Sequence, residues 1–224
     1  LERRSFAWQP PSGGSSVEIH AFRVDPRILR FRVVSATSGK RDTVRSITRQ
    51  EGLILGVNAS YFDEKERPLG LLIDKGKKIQ KLRNVDWGVF QVTKAGAPTI
   101  VHARDYVVRP DTDAAVQAGP RLVVDGKVLK LKPQIARRTA VCVDRSERVV
   151  LVVTEGGLFL RDIAELMAKD VGSGGLGCKN ALNLDGGPST QAAFTLGTDS
   201  WDLYGGSSVP VVLGIQPREE VIKP

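Results

Sequence analysis

The strongest constraint on this chain is its punctuation. Four pairs of short, β-prone runs are separated by tight-turn residues, and sustained helical periodicity is rare. Runs 69–74 and 78–82 bracket Lys75-Gly76-Lys77, and runs 87–93 and 99–103 bracket Lys94-Ala95-Gly96-Ala97-Pro98. Runs 121–124 and 127–131 flank Asp125-Gly126, a strong two-residue hairpin signal. Runs 139–143 and 148–154 flank Asp144-Arg145-Ser146-Glu147. Runs 17–25 and 28–36, either side of Asp25-Pro26, read as two further strands paired with each other.

Helices are few. Thr43 or Asp42 can cap a short one over 43–50, with Gly52 to end it. Ile163, Leu166 and Met167 fall at helical spacing within 160–171, and Gly172 follows as a stop. Buried strands are expected at 53–58 and 181–184. Many hairpins and few helices predict an α+β fold: one domain on a mostly antiparallel, curved sheet rich in hairpins. Residues 1–16, ending in the loop Pro10-Pro11-Ser12-Gly13-Gly14-Ser15-Ser16, read as an N-terminal strand and linker, and 17–224 as the body.

At 224 residues the chain can bury a sizeable core without staples. Its longest apolar run, 149–153, has strand length, so no membrane span is expected. A first residue of Leu is expected of a trimmed chain, and no signal-peptide apolar stretch is present. Net charge is +8 and favours anionic partners. The basic clusters at 1–4, 75–81 and Arg137-Arg138 have few interleaved aromatics, so nucleic acid is not expected as a partner. Cys142 and Cys178 lie in no CxxC or Cys/His cluster. They are either two buried thiols or one disulfide. Oligomeric state has no signal.

Five segments can carry chemistry. In Asn183-Leu184-Asp185-Gly186-Gly187-Pro188-Ser189-Thr190 an apolar strand runs into a carboxylate, two glycines and two hydroxyls. Asp185 is placed to act as nucleophile, base or metal ligand. Gly186 and Gly187 can turn sharply and aim backbone N–H groups at an anion, with Ser189 and Thr190 as further donors. Asn58 ends another buried strand and can orient a sugar or a water. Gly119, in Gln117-Ala118-Gly119-Pro120, can offer a backbone N–H. Of Arg137 and Arg138 only one can face a given side of a strand, and Arg138 is favoured as the anion clamp. Glu155, before Gly156-Gly157, is a second strand-end carboxylate that can pair with Asp185. Each also has a plain reading as a turn or solvated surface. His20 and His102 are the only histidines, and no nucleophilic triad or HExxH can be assembled.

In this order the segments resemble the phosphodiester glycosidase family. The resemblance rests on Val57-Asn58-Ala59-Ser60-Tyr61-Phe62-Asp63, Pro68-Leu69-Gly70-Leu71, Gln117-Ala118-Gly119-Pro120 with Asp125-Gly126-Lys127, Arg138-Thr139-Ala140, and 181–190. It implies a hydrolase that cleaves a sugar-1-phosphodiester at the anomeric C–O bond, releasing sugar from a phosphorylated glycan or cell-wall polymer. Asp185, Asn58, Arg138 and Glu155 would be its catalytic residues. Gly119, Gly186, Gly187, Ser189 and Thr190 would bind substrate. No cofactor is implied, with a divalent cation at Asp185 as the one candidate. Family habit implies a secreted or periplasmic protein. Pro188 stands where the family usually has a third glycine, and Ala59-Ser60 where it often has two. Pro188 removes one N–H from the loop. The alternatives are a non-catalytic module that binds anionic glycans, and an ordinary O-glycosidase using a carboxylate pair.

Overall fold

The four expected hairpins form, because each pair of runs meets a turn it can close. The computed structural model describes residues 1–35 and 42–218. Asp125 and Gly126 both take left-handed φ, 48° and 77°, as do Lys75 and Gly76 at 49° and 74°. Two successive left-handed residues match the twist of the flanking strands.

Among the described residues the largest sheet has seven strands. Their order is β1 (Glu2–Trp8), β2 (Val17–Val24), β14 (Val149–Thr154), β13 (Thr139–Asp144), β16 (Cys178–Asn183), β10 (Arg121–Val124) and β11 (Lys127–Val128). A second sheet runs β18 (Asp199–Leu203), β17 (Ala192–Leu196), β4 (Leu55–Asn58), β19 (Val211–Pro217) and β3 (Leu29–Ser35). A third runs β6 (Lys77–Gln80), β5 (Leu72–Asp74), β9 (Thr112–Ala118), β7 (Gly88–Thr93) and β8 (Pro98–His102). β12 (Ile135–Ala136) and β15 (Leu158–Phe159) make a short ribbon. These pairings are antiparallel throughout.

The strands at 17–25 and 28–36 exist, but they do not pair with each other. β2 has both edges occupied, by β1 and β14, so nothing is left for β3. The turn at Asp25, whose carbonyl accepts from the Ile28 and Leu29 amides, sends the chain into the second sheet. There β3 pairs with β19. Ala36 lies outside the described residues.

The apolar run of β14 follows from burial on both faces. Val149, Leu151 and Val153 point into the central core, where Phe31, Leu55 and Leu213 of the second sheet meet Leu72, Phe90 and Val116 of the third. Val150 and Val152 point the other way, with Ala140, Cys142 and Ala181, onto helix α2 (Leu160–Ala168). Alternate residues thus serve two cores, as the period of a strand requires. Cys142 and Cys178 are joined as a disulfide within this second core. α2 buries Ile163, Leu166 and Met167 there, but stops at Ala168, three residues before the expected 171. The chain turns at Lys169, and Gly175 packs so closely that a Cβ would lie 2.1 Å from the Lys169 carbonyl oxygen.

Helix α1 (Val44–Gln50) is capped as expected: the Thr43 hydroxyl accepts from the Ser46 amide at 3.1 Å. Val44 and Ile47 cover the outer face of the second sheet with Val34 and Val212. Among the described residues no helix is long and apolar enough to cross a membrane.

Candidate active site

Two strands end side by side, each in an asparagine: Asn58 closes β4 and Asn183 closes β16. The chain leaving β16 crosses over β4, with the Asp185 amide donating to the Ala59 carbonyl at 2.9 Å. Asn58 is fully buried beneath this crossing. Its Nδ2 donates to the Asp185 carbonyl at 2.7 Å, and its Oδ1 accepts from the Thr139 hydroxyl at 2.6 Å and the Gln191 amide at 3.1 Å. Its amide group is therefore spent on the protein, holding Asp185 rather than reaching outward. Asn183 Nδ2 donates to the Tyr61 hydroxyl and the Gly119 carbonyl, both at 3.0 Å, and its Oδ1 is buried without a partner among the described residues.

Tyr61 sits at the centre. Its hydroxyl donates to the Gly119 carbonyl. Burial, reinforced by the nearby negative Asp185, pushes its phenol up to about 12; the Asn183 bond and the positive Arg138 act in the opposite direction. Tyr61 is thus within electrostatic reach of both charged candidates. Burial also raises the Asp185 carboxyl above its ordinary range, against the bonds from Ser189 and the Gly186 amide, which lower it.

Arg138 is buried, at 3% exposure. Its guanidinium donates to the backbone carbonyls of Leu158 and Gln134, and it has no ion pair among the described residues. Arg137 points elsewhere, to the Tyr204 and Thr154 carbonyls. The two arginines do point to different partners, but they lie in the link between β12 and β13 rather than on a strand.

The nest of free loop amides expected at 186–190 does not form. The Gly186 amide donates to the Asp185 carboxylate, and that of Gly187 to the Arg137 carbonyl at 2.8 Å. The Ser189 and Thr190 amides close a 3₁₀ turn onto Gly186 and Gly187, each at 3.2 Å. The physical reason is tight packing: a Cβ on Gly186 would lie 2.7 Å from the Arg137 carbonyl oxygen. The Ser189 and Thr190 side chains are buried too, Thr190 completely. The glycines therefore seat the loop on Arg137, and its donors face inward.

Glu155 is apart from this cluster. Its half-exposed carboxylate bonds His20 Nε2 at 2.8 Å, and Ser5 bonds His20 Nδ1 at 2.8 Å. Gly119 does line a cleft. A Cβ there would come within 2.6 Å of Trp87 Cδ1, so a glycine is required.

That cleft, of about 640 Å³, opens beside Tyr61 and Trp87, whose rings lie 5.0 Å apart. Pro120, Lys130, Lys132 and Gln134 also line it. Gln134 is the residue whose carbonyl takes a bond from Arg138, so the buried cation lies behind the cleft wall. Sequence reasoning missed Tyr61, Trp87, Asn183 and the two lysines as site residues. Tyr61 and Asn183 stood inside the motifs; the other three carry no local signal. Among the described residues no group of three His, Cys, Asp or Glu side chains gathers as a metal site. Asp185 is the sole carboxylate in the cluster just described.

The family model for phosphodiester glycosidases matches residues 51–216. No curated protein matches the sequence. Among solved structures, the catalytic domain of zebrafish N-acetylglucosamine-1-phosphodiester alpha-N-acetylglucosaminidase, auto-inhibited by its pro-peptide, aligns with a TM-score of 0.75 at 19% identity. The alignment covers 97% of this chain and 83% of that one. A hypothetical protein from Synechocystis aligns at 0.65 and 16% identity, over 96% of this chain and 62% of its own. A protein of Burkholderia pseudomallei, assigned without further description as exported, aligns at 0.59 and 13%, over 90% and 74%. At these identities the structures establish the fold, and the family rests on the sequence match: this chain belongs to the phosphodiester glycosidases.

Proposed function

We propose that this chain hydrolyses a sugar-1-phosphodiester at the anomeric C–O bond. One observation carries the reading. Arg138 is a buried cation with no acidic partner among the described residues, beside a cleft and within electrostatic reach of Tyr61. Burying an uncompensated charge is costly, and an anionic ligand would offset that cost. Burial lowers the Arg138 pKa, which is the signature of that penalty. Asp185 supplies the opposite charge on the other side of the reaction.

In this reading water attacks the anomeric carbon, a C–O bond forms, and the bond to the bridging oxygen breaks. The bonding pair leaves with a phosphate monoester. That leaving group is already a stable anion, so a strong general acid is dispensable. Asp185 attacks or activates water, or stabilises the oxocarbenium-like transition state. Burial makes its carboxylate more basic, which suits those roles. Asn58 is a positioning residue for Asp185. The Gly186, Gly187, Ser189 and Thr190 segment fixes the carboxylate, and Gly119 shapes the cleft. A phosphorylated glycan or cell-wall polymer is one source of such a bond. The disulfide and the exported relative favour a secreted or periplasmic setting.

Turnover of a sugar 1-(4-nitrophenyl phosphate) in water labelled with oxygen-18 tests the proposal. The label is expected in the sugar, and Asp185→Asn is expected to lose on the order of 10²–10³ in rate. Label in the phosphate, or an unchanged mutant, defeats it. Binding without turnover would favour the non-catalytic module.

A further inference from the structure

The cleft beside Tyr61 has mostly carbon walls. Phe62, Leu69, Trp87, Pro120, Leu131 and Leu160 present carbon to it. Its polar side chains are fewer than they look. The Tyr61 hydroxyl is turned to the Gly119 carbonyl, leaving the ring as the surface. Asp86 is largely exposed and commits one carboxylate oxygen to His102 at 2.7 Å. Beside it stand Gln134 and two exposed lysines, Lys130 and Lys132, neither with an ion pair among the described residues. Sugar hydroxyls are read by acceptors and donors together, such as carboxylates, which accept, and amides, which do both. Ammonium groups only donate, and they suit an anion. Apolar walls, a cationic rim and a buried guanidinium behind Gln134 together describe an amphiphilic anion.

We propose that the leaving side of the substrate is an apolar alcohol: the cleft takes a sugar-1-phosphodiester whose second ester is an alkyl or prenyl chain. The inference rests on the phosphodiester reading and narrows it. Hydrolysis at the anomeric C–O bond then yields free sugar and an alkyl phosphate, with the phosphate between Lys130, Lys132 and the Arg138 side and the chain against Trp87, Leu131 and Leu160. At about 640 Å³ the cleft has room for a chain of several methylenes.

Because the product is an alkyl phosphate, binding can be read without turnover. The chain is titrated calorimetrically with inorganic phosphate, glycerol phosphate, butyl phosphate, octyl phosphate below its micellar concentration, and neutral octyl glucoside. Affinity is expected to rise from butyl to octyl phosphate by more than tenfold, since each buried methylene is worth roughly fourfold. Glycerol phosphate is expected to bind no better than inorganic phosphate. Lys130→Ala with Lys132→Ala should weaken every phosphate and leave octyl glucoside unchanged, and Leu131→Ser should flatten the chain-length series. Two results overturn the assignment: glycerol phosphate or a phosphoglycan fragment matching octyl phosphate, or octyl glucoside doing so. The hydrolase reading fails separately. Absent turnover with the binding order intact removes that reading alone, and turnover with no chain-length dependence removes the apolar aglycone alone.

Discussion

Replacing Asn58 by alanine should detach the candidate carboxylate loop from the sheet beneath it. The side chain is fully buried and makes three bonds, at 2.7 Å to the Asp185 carbonyl, 2.6 Å from the Thr139 hydroxyl and 3.1 Å from the Gln191 amide. Thr139 can turn to the Thr190 hydroxyl, already 3.4 Å away. The Asp185 carbonyl and the Gln191 amide have no such substitute. Leaving a buried polar group unsatisfied costs about 1–3 kcal/mol, so the two together cost roughly 2–6 kcal/mol. Total stabilities of about 5–15 kcal/mol make that a large share. Urea denaturation should show it as a lower midpoint at unchanged slope. Thr139→Val is the control: Asn58 Oδ1 keeps the Gln191 amide, so the loss should be about 1 kcal/mol. In the Asn58→Ala background the same valine removes only the Thr139–Thr190 contact, so the two losses should not add. An Asn58→Ala protein within about 1 kcal/mol of the parent, with turnover intact, refutes the claim that Asn58 anchors Asp185.

Asp185→Asn should gain stability while losing activity, and the gain should depend on pH. Burial raises the folded Asp185 carboxyl, so on raising pH the unfolded chain loses its proton first and the folded state is penalised. Parent stability therefore falls relative to the mutant as pH rises from the ordinary aspartate range, about 3.9, towards the folded value; melting curves that converge with rising pH contradict this. Gly119→Ala should push Trp87 off Tyr61 and weaken ligand binding in the cleft, read by titration with octyl phosphate, because its Cβ would sit 2.6 Å from Trp87 Cδ1; wild-type affinity counts against the packing argument. Thiol titration of the unfolded, unreduced chain should find no free cysteine. Cutting the 36-residue link with Cys142→Ala and Cys178→Ala should cost up to about 4 kcal/mol in the chain-entropy view, measured by denaturation. Chelator treatment should leave turnover unchanged, since Asp185 is the sole carboxylate in its cluster; loss restored by a divalent ion assigns Asp185 to a metal.

What was legible in the sequence was what local rules decide. Asp125-Gly126 and Lys75-Gly76 close hairpins because their own φ angles allow nothing broader. Thr43 caps α1 through a bond three residues away. Arg138 and Arg137 do part, the first buried and the second turned to Tyr204, but they do so in the link between β12 and β13, so the strand alternation that favoured Arg138 does not apply there. The pairing of β2 with β3 was misread because adjacency in the chain is a local fact and vacancy at a strand edge is not. Nothing near Asp25 reveals that β14, more than a hundred residues on, already occupies β2.

The site divides along the same line. Asp185 and Asn58 were visible as polar ends of buried strands, yet their relation was not: Asn58 faces Asp185's backbone, and the reading of it as a sugar-orienting group presumed an open cleft there. The glycines of the loop looked like an anion nest because flexible, amide-rich segments often are. Their amides are consumed by Arg137, in the link before β13, and by the loop itself. In the proposed reading the anion is met instead by Arg138, Lys130 and Lys132, which come from the segment between β10 and β13. This division also explains how Pro188 is tolerated. If the loop amides face inward, replacing one N–H by a ring removes no ligand contact, and the exposed Pro188 instead offers its carbonyl to the Gly206 and Ser207 amides at 2.8 and 3.2 Å. Pro188→Gly should loosen the loop and lower stability, while the order of affinities among phosphate ligands stays the same; a changed order would return anion binding to the loop.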